Sequence, residues 1–169
     1  MTINDNVASL ARGNPPYYFI NGRTFRSFKE LNIAASGSYV VKIVLPVPVY
    51  FTGFDINIES GQLKVETVSA GTPGGTFAET LPVIKTNLTV PTAYVVKTAL
   101  TAGGTHTGGT VIDIVRLKAN NNLNQGTSVI IPDQGIRGIA AGTYHWRFTN
   151  LSSTDAITGT VKIMWTEPF

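Results

Sequence analysis

Apolar and polar residues alternate with a period of two along most of this chain. Tyr39, Val41, Ile43 and Leu45 share one phase of the run from 39 to 45. Phe54, Ile56 and Ile58 alternate with Asp55, Asn57 and Glu59. Tyr144, Trp146 and Phe148 alternate with His145, Arg147 and Thr149, and Val161, Ile163 and Trp165 share a phase between 158 and 167. A period of two is the mark of a strand with one buried and one wet face. The pattern therefore predicts strands over 39–45, 49–59, 143–150 and 158–167, with Gly53 as a bulge or bend in the second.

The remaining runs are shorter. Ser60-Gly61 turns the chain into a strand over 63–68, and Leu81 to Thr86 reads as a short strand placed at an edge by Pro82. Runs over 94–100 and 110–117 flank Gly103-Gly104-Thr105-His106-Thr107-Gly108-Gly109, which reads as the flexible tip of a hairpin. In the second run Ile112, Ile114 and Arg116 point opposite to Val111, Asp113 and Val115. Residues 119–127 are polar and Asn-rich, hence a loop, and 129–131 form a short strand before Pro132.

About eight or nine strands at regular spacing, with no helix longer than a turn or two, predict an antiparallel β-sandwich. A jelly-roll arrangement fits best, and an immunoglobulin-like sandwich has the same strand count. The first 16 residues read as an arm, ended by Gly13-Asn14-Pro15-Pro16. Tyr17-Tyr18-Phe19-Ile20 and Arg23 to Phe28 flank Asn21-Gly22, a strong hairpin signal. The chain thus divides into an arm and hairpin over 1–28 and a sandwich over 29–169.

Composition narrows the chemistry. Of 169 residues, 43% are hydrophobic and only 14% charged, which excludes wholesale disorder. There are no cysteines, so disulfides, thiolate catalysis and Cys-ligated zinc are excluded. Lys and Arg total 13 against 10 for Asp and Glu, a net charge of +3 spread thinly along the chain. Only Arg23, Arg26 and Lys29, and the pair Arg116 and Lys118, lie close together. That is a solvated strand face rather than a phosphate-binding patch, and nucleic acid is not an expected partner.

A membrane is not expected either. The most apolar run, 39–51, is interrupted by Lys42, Pro46 and Pro48 and is shorter than the roughly 20 residues of a spanning helix. The opening residues lack the apolar core of a secretory leader, so synthesis in a cytoplasm is expected. Asn87-Leu88-Thr89 and Asn150-Leu151-Ser152 then read as chance matches to the glycosylation pattern.

Catalytic signals are sparse. The two histidines, His106 and His145, are not at ligand spacing, and no HxH or HExxH occurs, so no metal or other cofactor is expected. Neither Gly-rich loop carries the Gly-Lys-Ser/Thr ending of a nucleotide loop, so both read as turns needing positive φ. Asp55, Glu59 and Asp113 are isolated strand carboxylates. No Gly-x-Ser-x-Gly elbow is present. Tyr17, Tyr18 and Phe19, following two prolines, are placed either to cover a neighbouring subunit or to open the domain's own sheet.

The run Tyr39-Val-Val-Lys-Ile-Val-Leu-Pro, with Phe54-Asp-Ile-Asn-Ile-Glu-Ser-Gly, Leu63-Lys-Val-Glu-Thr and Gly71-Thr-Pro-Gly-Gly-Thr-Phe, resembles the small β-sandwich virion proteins of tailed bacteriophages. So does the ending from Gly142-Thr-Tyr-His-Trp-Arg-Phe to Val161-Lys-Ile-Met-Trp-Thr-Glu. The resemblance spans residues 30–167. It implies a non-enzymatic capsid decoration or cement protein, incorporated into the virion and often trimeric. The implied partners are the major capsid protein and copies of the chain itself. Arg12, Tyr17, Tyr18, Phe19, Arg23 and Arg26 are the expected contact residues, their basic members suiting an acidic capsid surface. The alternative is a tail or fibre module that recognises a host glycan through loops 70–77, 103–109 and 119–127.

Overall fold

The computed structural model describes residues 21–89, 94–119, 127–131 and 137–167. These residues form strands β1 (Thr24–Ile33), β2 (Ser38–Leu45), β3 (Val49–Ile58), β4 (Gln62–Ser69), β5 (Thr72–Gly74), β6 (Glu79–Thr80) and β7 (Ile84–Lys85). Then follow β8 (Ala99–Ala102), β9 (Thr105–Thr107), β10 (Thr110–Lys118), β11 (Thr127–Ile131), β12 (Arg137–Ile139), β13 (Gly142–Asn150) and β14 (Ile157–Thr166). The described residues contain no helix, and all their strand pairings are antiparallel.

The strands build an antiparallel β-sandwich. One sheet, here sheet A, runs β11-β3-β14-β1-β7, with β12 also on β3; sheet B runs β10-β4-β13-β2-β8-β6; β5 and β9 form a separate two-stranded ribbon. Three consecutive pairs, β1–β2, β3–β4 and β13–β14, each send one strand into each sheet. The C-terminal pair is inserted between the other two, so β14 lies between β1 and β3 while β13 lies between β2 and β4.

The strand faces follow the alternation in the sequence. Val41, Ile43, Leu45, Leu63, Phe148 and Trp146 from sheet B pack against Phe25, Leu31, Ile56, Ile58, Val161 and Trp165 from sheet A, all buried. Each such side chain contributes about 1.5–3 kcal/mol relative to exposure, and together they hold the two sheets. The ladder shifts register where Met164 pairs with Gly53 and Trp165 with Phe51, which is the bulge predicted at Gly53. A side chain at residue 53 would meet Met164 Cε at 2.5 Å, so the small residue lets Met164 lie across β3.

Three sequence expectations change. The segment 94–98 is not a strand; pairing starts at Ala99. Residues 103–109 are not the tip of a hairpin, because β8 pairs with β2 while β10 pairs with β4 at the far edge of sheet B. The intervening chain crosses the outer face of that sheet, and β9 pairs with β5 on the way. Glycines at positive φ (Gly103, Gly104, Gly108 and Gly109) make the crossing possible. Finally, the run 81–86 contributes only the two-residue β7, an edge strand beside β1.

Asn21 and Gly22 form a turn, with Gly22 at φ 63°, while the other half of the expected hairpin, 17–20, lies outside the described residues. The division drawn at residue 28 falls inside β1, whose whole length pairs with β14.

Candidate functional site

Of the expected contact residues, Arg12, Tyr17, Tyr18 and Phe19 lie outside the described residues. Arg23 and Arg26 are separated by three positions, so strand alternation sends them to different surfaces. Arg26 is exposed on the outer face of β1, opposite Met164 and Ile84. It shares that face with Phe28, which is 47% exposed, and with Glu30 and Asn32. Among the described residues no segment lies across this face.

Arg23 is half-buried, its guanidinium 4.8 Å from the Tyr94 ring centroid. The Tyr94 hydroxyl donates to Glu167 Oε2 at 2.8 Å. Glu167 is fully buried and also accepts from the Lys97 amide at 3.0 Å, the Thr98 amide at 2.9 Å and Trp165 Nε1 at 3.3 Å. Its own amide donates to the Arg23 carbonyl at 3.0 Å. Burial by itself raises the Glu167 carboxyl, but the hydrogen bonds from Thr98, Lys97 and Tyr94 together hold it below the ordinary carboxylate range. Burial, then the same pairing with Glu167, pushes the Tyr94 phenol up to about 12. The ring of donors makes Glu167 a structural clamp on segment 94–98, with its lone pairs already taken. Sequence reading missed it, although it sits in phase with Val161, Ile163 and Trp165, and a charge in phase with a buried face is a signal.

The two histidines, read separately from the sequence, come together. His145 is on the outer face of β13, as its phase requires, but β9 lays His106 directly over it. The rings stack with centroids 4.0 Å apart and planes 22° apart, and both residues are buried. His106 Nε2 is 2.8 Å from the Ala70 carbonyl, while His106 Nδ1 and both His145 ring nitrogens have no hydrogen-bond partner among the described residues. Phe77 packs beside His145, with ring centroids 5.9 Å apart, and Lys42 Nζ lies 5.9 Å from the Phe77 ring. Burial, then the neighbouring His106, then Lys42 push His145 down to about 4. Stacked rings direct their in-plane lone pairs along parallel planes, so the pair is not arranged to chelate one ion.

A shallow groove of about 100 Å³ opens between the sheets near β10, lined by Phe51, Phe54, Trp146, Ile139 and Ile112, with Asp113 among them. Among the described residues, no three of His, Asp and Glu converge on a point that would hold a metal. The two sequons are built into the fold. Asn150 is buried and its amide nitrogen reaches the carbonyls of Ile33, Ala34 and Asp155. Asn87 is buried and accepts from the Thr89 amide and hydroxyl.

Comparison with family models, with curated proteins and with solved structures found no match to this chain.

Proposed function

We propose that this chain is a non-enzymatic virion protein of a tailed bacteriophage, a decoration protein that binds the assembled shell of major capsid protein as a homo-oligomer, with a jelly-roll-like body and without a cofactor. The observation that supports this reading most is the difference between the two outer faces. The ribbon covers His145 and Val68 on the outer face of sheet B, whereas β1 presents Arg26 and Phe28 on an uncovered face of sheet A, among the described residues. The described chain enters β1 from residue 21, at the end of that strand nearer Arg26. An exposed aromatic next to a cation suits a protein surface with acidic and apolar patches. Binding only to assembled shells would stabilise them by mass action.

The glycan-binding alternative needs aromatics free at loops 70–77 and 103–109. Phe77, the aromatic there, packs on His145, and both loops pair as the ribbon. Residues 120–126 of the third loop lie outside the described residues. The decoration reading is therefore preferred.

Quantitative mass spectrometry of the purified particle, with shell-binding assays, tests the reading. The expected results are a copy number in simple ratio to the capsid protein, and loss of binding on deleting residues 1–16 or on Arg26→Glu. A copy number far below that of the capsid protein would move the chain to the tail, and unchanged binding of both variants would overturn the contact surface.

A further inference from the structure

We infer that the β5–β9 ribbon is an acid-released flap, latched to sheet B by the His106–His145 stack. The geometry has three parts. First, the stack spans the boundary between flap and sheet: His106 belongs to β9, His145 to β13, and their centroids are 4.0 Å apart. Second, the pair is buried and has three ring nitrogens without a partner among the described residues, and none of their carboxylates is in place to accept a proton's charge. Third, the flap is bounded by glycines at positive φ (Gly71, Gly75, Gly103, Gly104, Gly108 and Gly109), which supply hinges at both of its attachments.

From β2, Lys42 pairs in register with His145 and adds positive charge. From β4, the residue opposite His145 is Val68, and the next outward side chain, Glu66, is engaged by Arg147 at 3.2 Å and Lys64 at 3.3 Å. From β13 itself, Arg147 is held by Glu66 and donates to the Gly108 carbonyl at 3.1 Å. From the segment after β5, Phe77 is uncharged, and Glu79 is tied to Lys29 and Tyr39. Among the described residues, a proton on His145 therefore meets a second imidazole and an ammonium, with no free anion.

A histidine held below its ordinary pKa in the closed state stabilises that state fully above pH 6.5, and the contribution is lost progressively as pH falls toward about 4. Opening the flap returns the His145 ring to water, where it takes a proton. Acid thus favours the open flap and bares Val68, His145 and the inner side of Phe77.

The test is amide hydrogen exchange of the full chain from about pH 7.5 to about pH 4, corrected for intrinsic rates. The expected result is at least roughly tenfold loss of protection in 72–74 and 105–107 while β13 and β14 keep theirs. The variant His106→Phe with His145→Leu is expected to keep the ribbon protected throughout. Lys42→Met, which leaves the stack in place, is expected to move the release to lower pH, and it decides the matter should the double variant fail to fold. Constant protection of the ribbon down to about pH 4, or release of both variants at the wild-type pH, would overturn the inference.

Discussion

The carboxylate of Glu167 accepts the backbone amide of Thr98 at 2.9 Å, across 69 residues of sequence. That bond, with those from Lys97, Tyr94 and Trp165, ties an extended segment without ladder pairing to the end of β14. Replacing Glu167 by Ala strips several buried donors at once. Each unsatisfied donor costs about 1–3 kcal/mol, so E167A is expected to lose at least roughly 3 kcal/mol. Urea unfolding of the two proteins measures this. A loss within experimental error of zero would show that water replaces the carboxylate at no cost.

The same group gives the fold an acid limit. Because the folded protein holds Glu167 below the ordinary carboxyl value, its stabilisation is complete above pH 4.5 and is lost as pH falls through the lower folded value. Stability of the wild type should therefore bend downward below that pH, while E167Q, weaker at neutrality, should show a shallower decline. Parallel pH profiles for the two proteins would contradict the assignment.

Gly159 is the third residue of β14, paired with Ile58 of β3. A Cβ there would lie 2.1 Å from the Asn57 carbonyl oxygen and 2.9 Å from Ile58 Cα, both backbone atoms that cannot swing aside. Gly159→Ala should therefore force the central ladder apart and cost at least about 3 kcal/mol, or prevent folding. Gly108→Ala is the control: no atom lies within 4 Å of its Cβ, and only the φ of +67° is unfavourable, at about 1–2 kcal/mol. Equal thermal stability of Gly159→Ala and the wild type would refute the clash.

Asn150 joins two turns, the one after β1 through the carbonyls of Ile33 and Ala34 and the one after β13 through Asp155 and the Ser152 amide. Asn150→Asp keeps the shape but replaces the donor by an acceptor facing three carbonyls. It is expected to be worse than Asn150→Ala, with a loss of about 2–4 kcal/mol at neutral pH. Its deficit should shrink on acidification, as the carboxyl takes up a proton and donates again. A glycan at this residue in a secreted expression host would instead mean that the site is reached before folding completes.

Much of the sandwich was legible in the chain. The inward faces of β2, β3, β13 and β14 follow from strict alternation, because a strand turns successive side chains to opposite sides whatever its neighbours are. The bulge at Gly53, the edge position of the run after Pro82 and the burial of Trp146 and Trp165 were legible for the same local reasons. The all-β antiparallel class is a consequence of these short-range rules.

What only the tertiary structure decided is where weakly patterned segments come to rest. Thr105-His106-Thr107 carries no signal that it pairs with Thr72-Pro73-Gly74, and nothing local announces that His106 will cover His145. The donors reaching the Glu167 carboxylate lie 69 to 73 positions away, apart from Trp165, and Asn150 bonds to carbonyls 116 and 117 positions away. Such partners are chosen by which ordering of strands buries the most apolar surface, a property of the whole chain. The alternation of a single strand determines which of its faces is inward; the packing of all the strands together determines what each face meets.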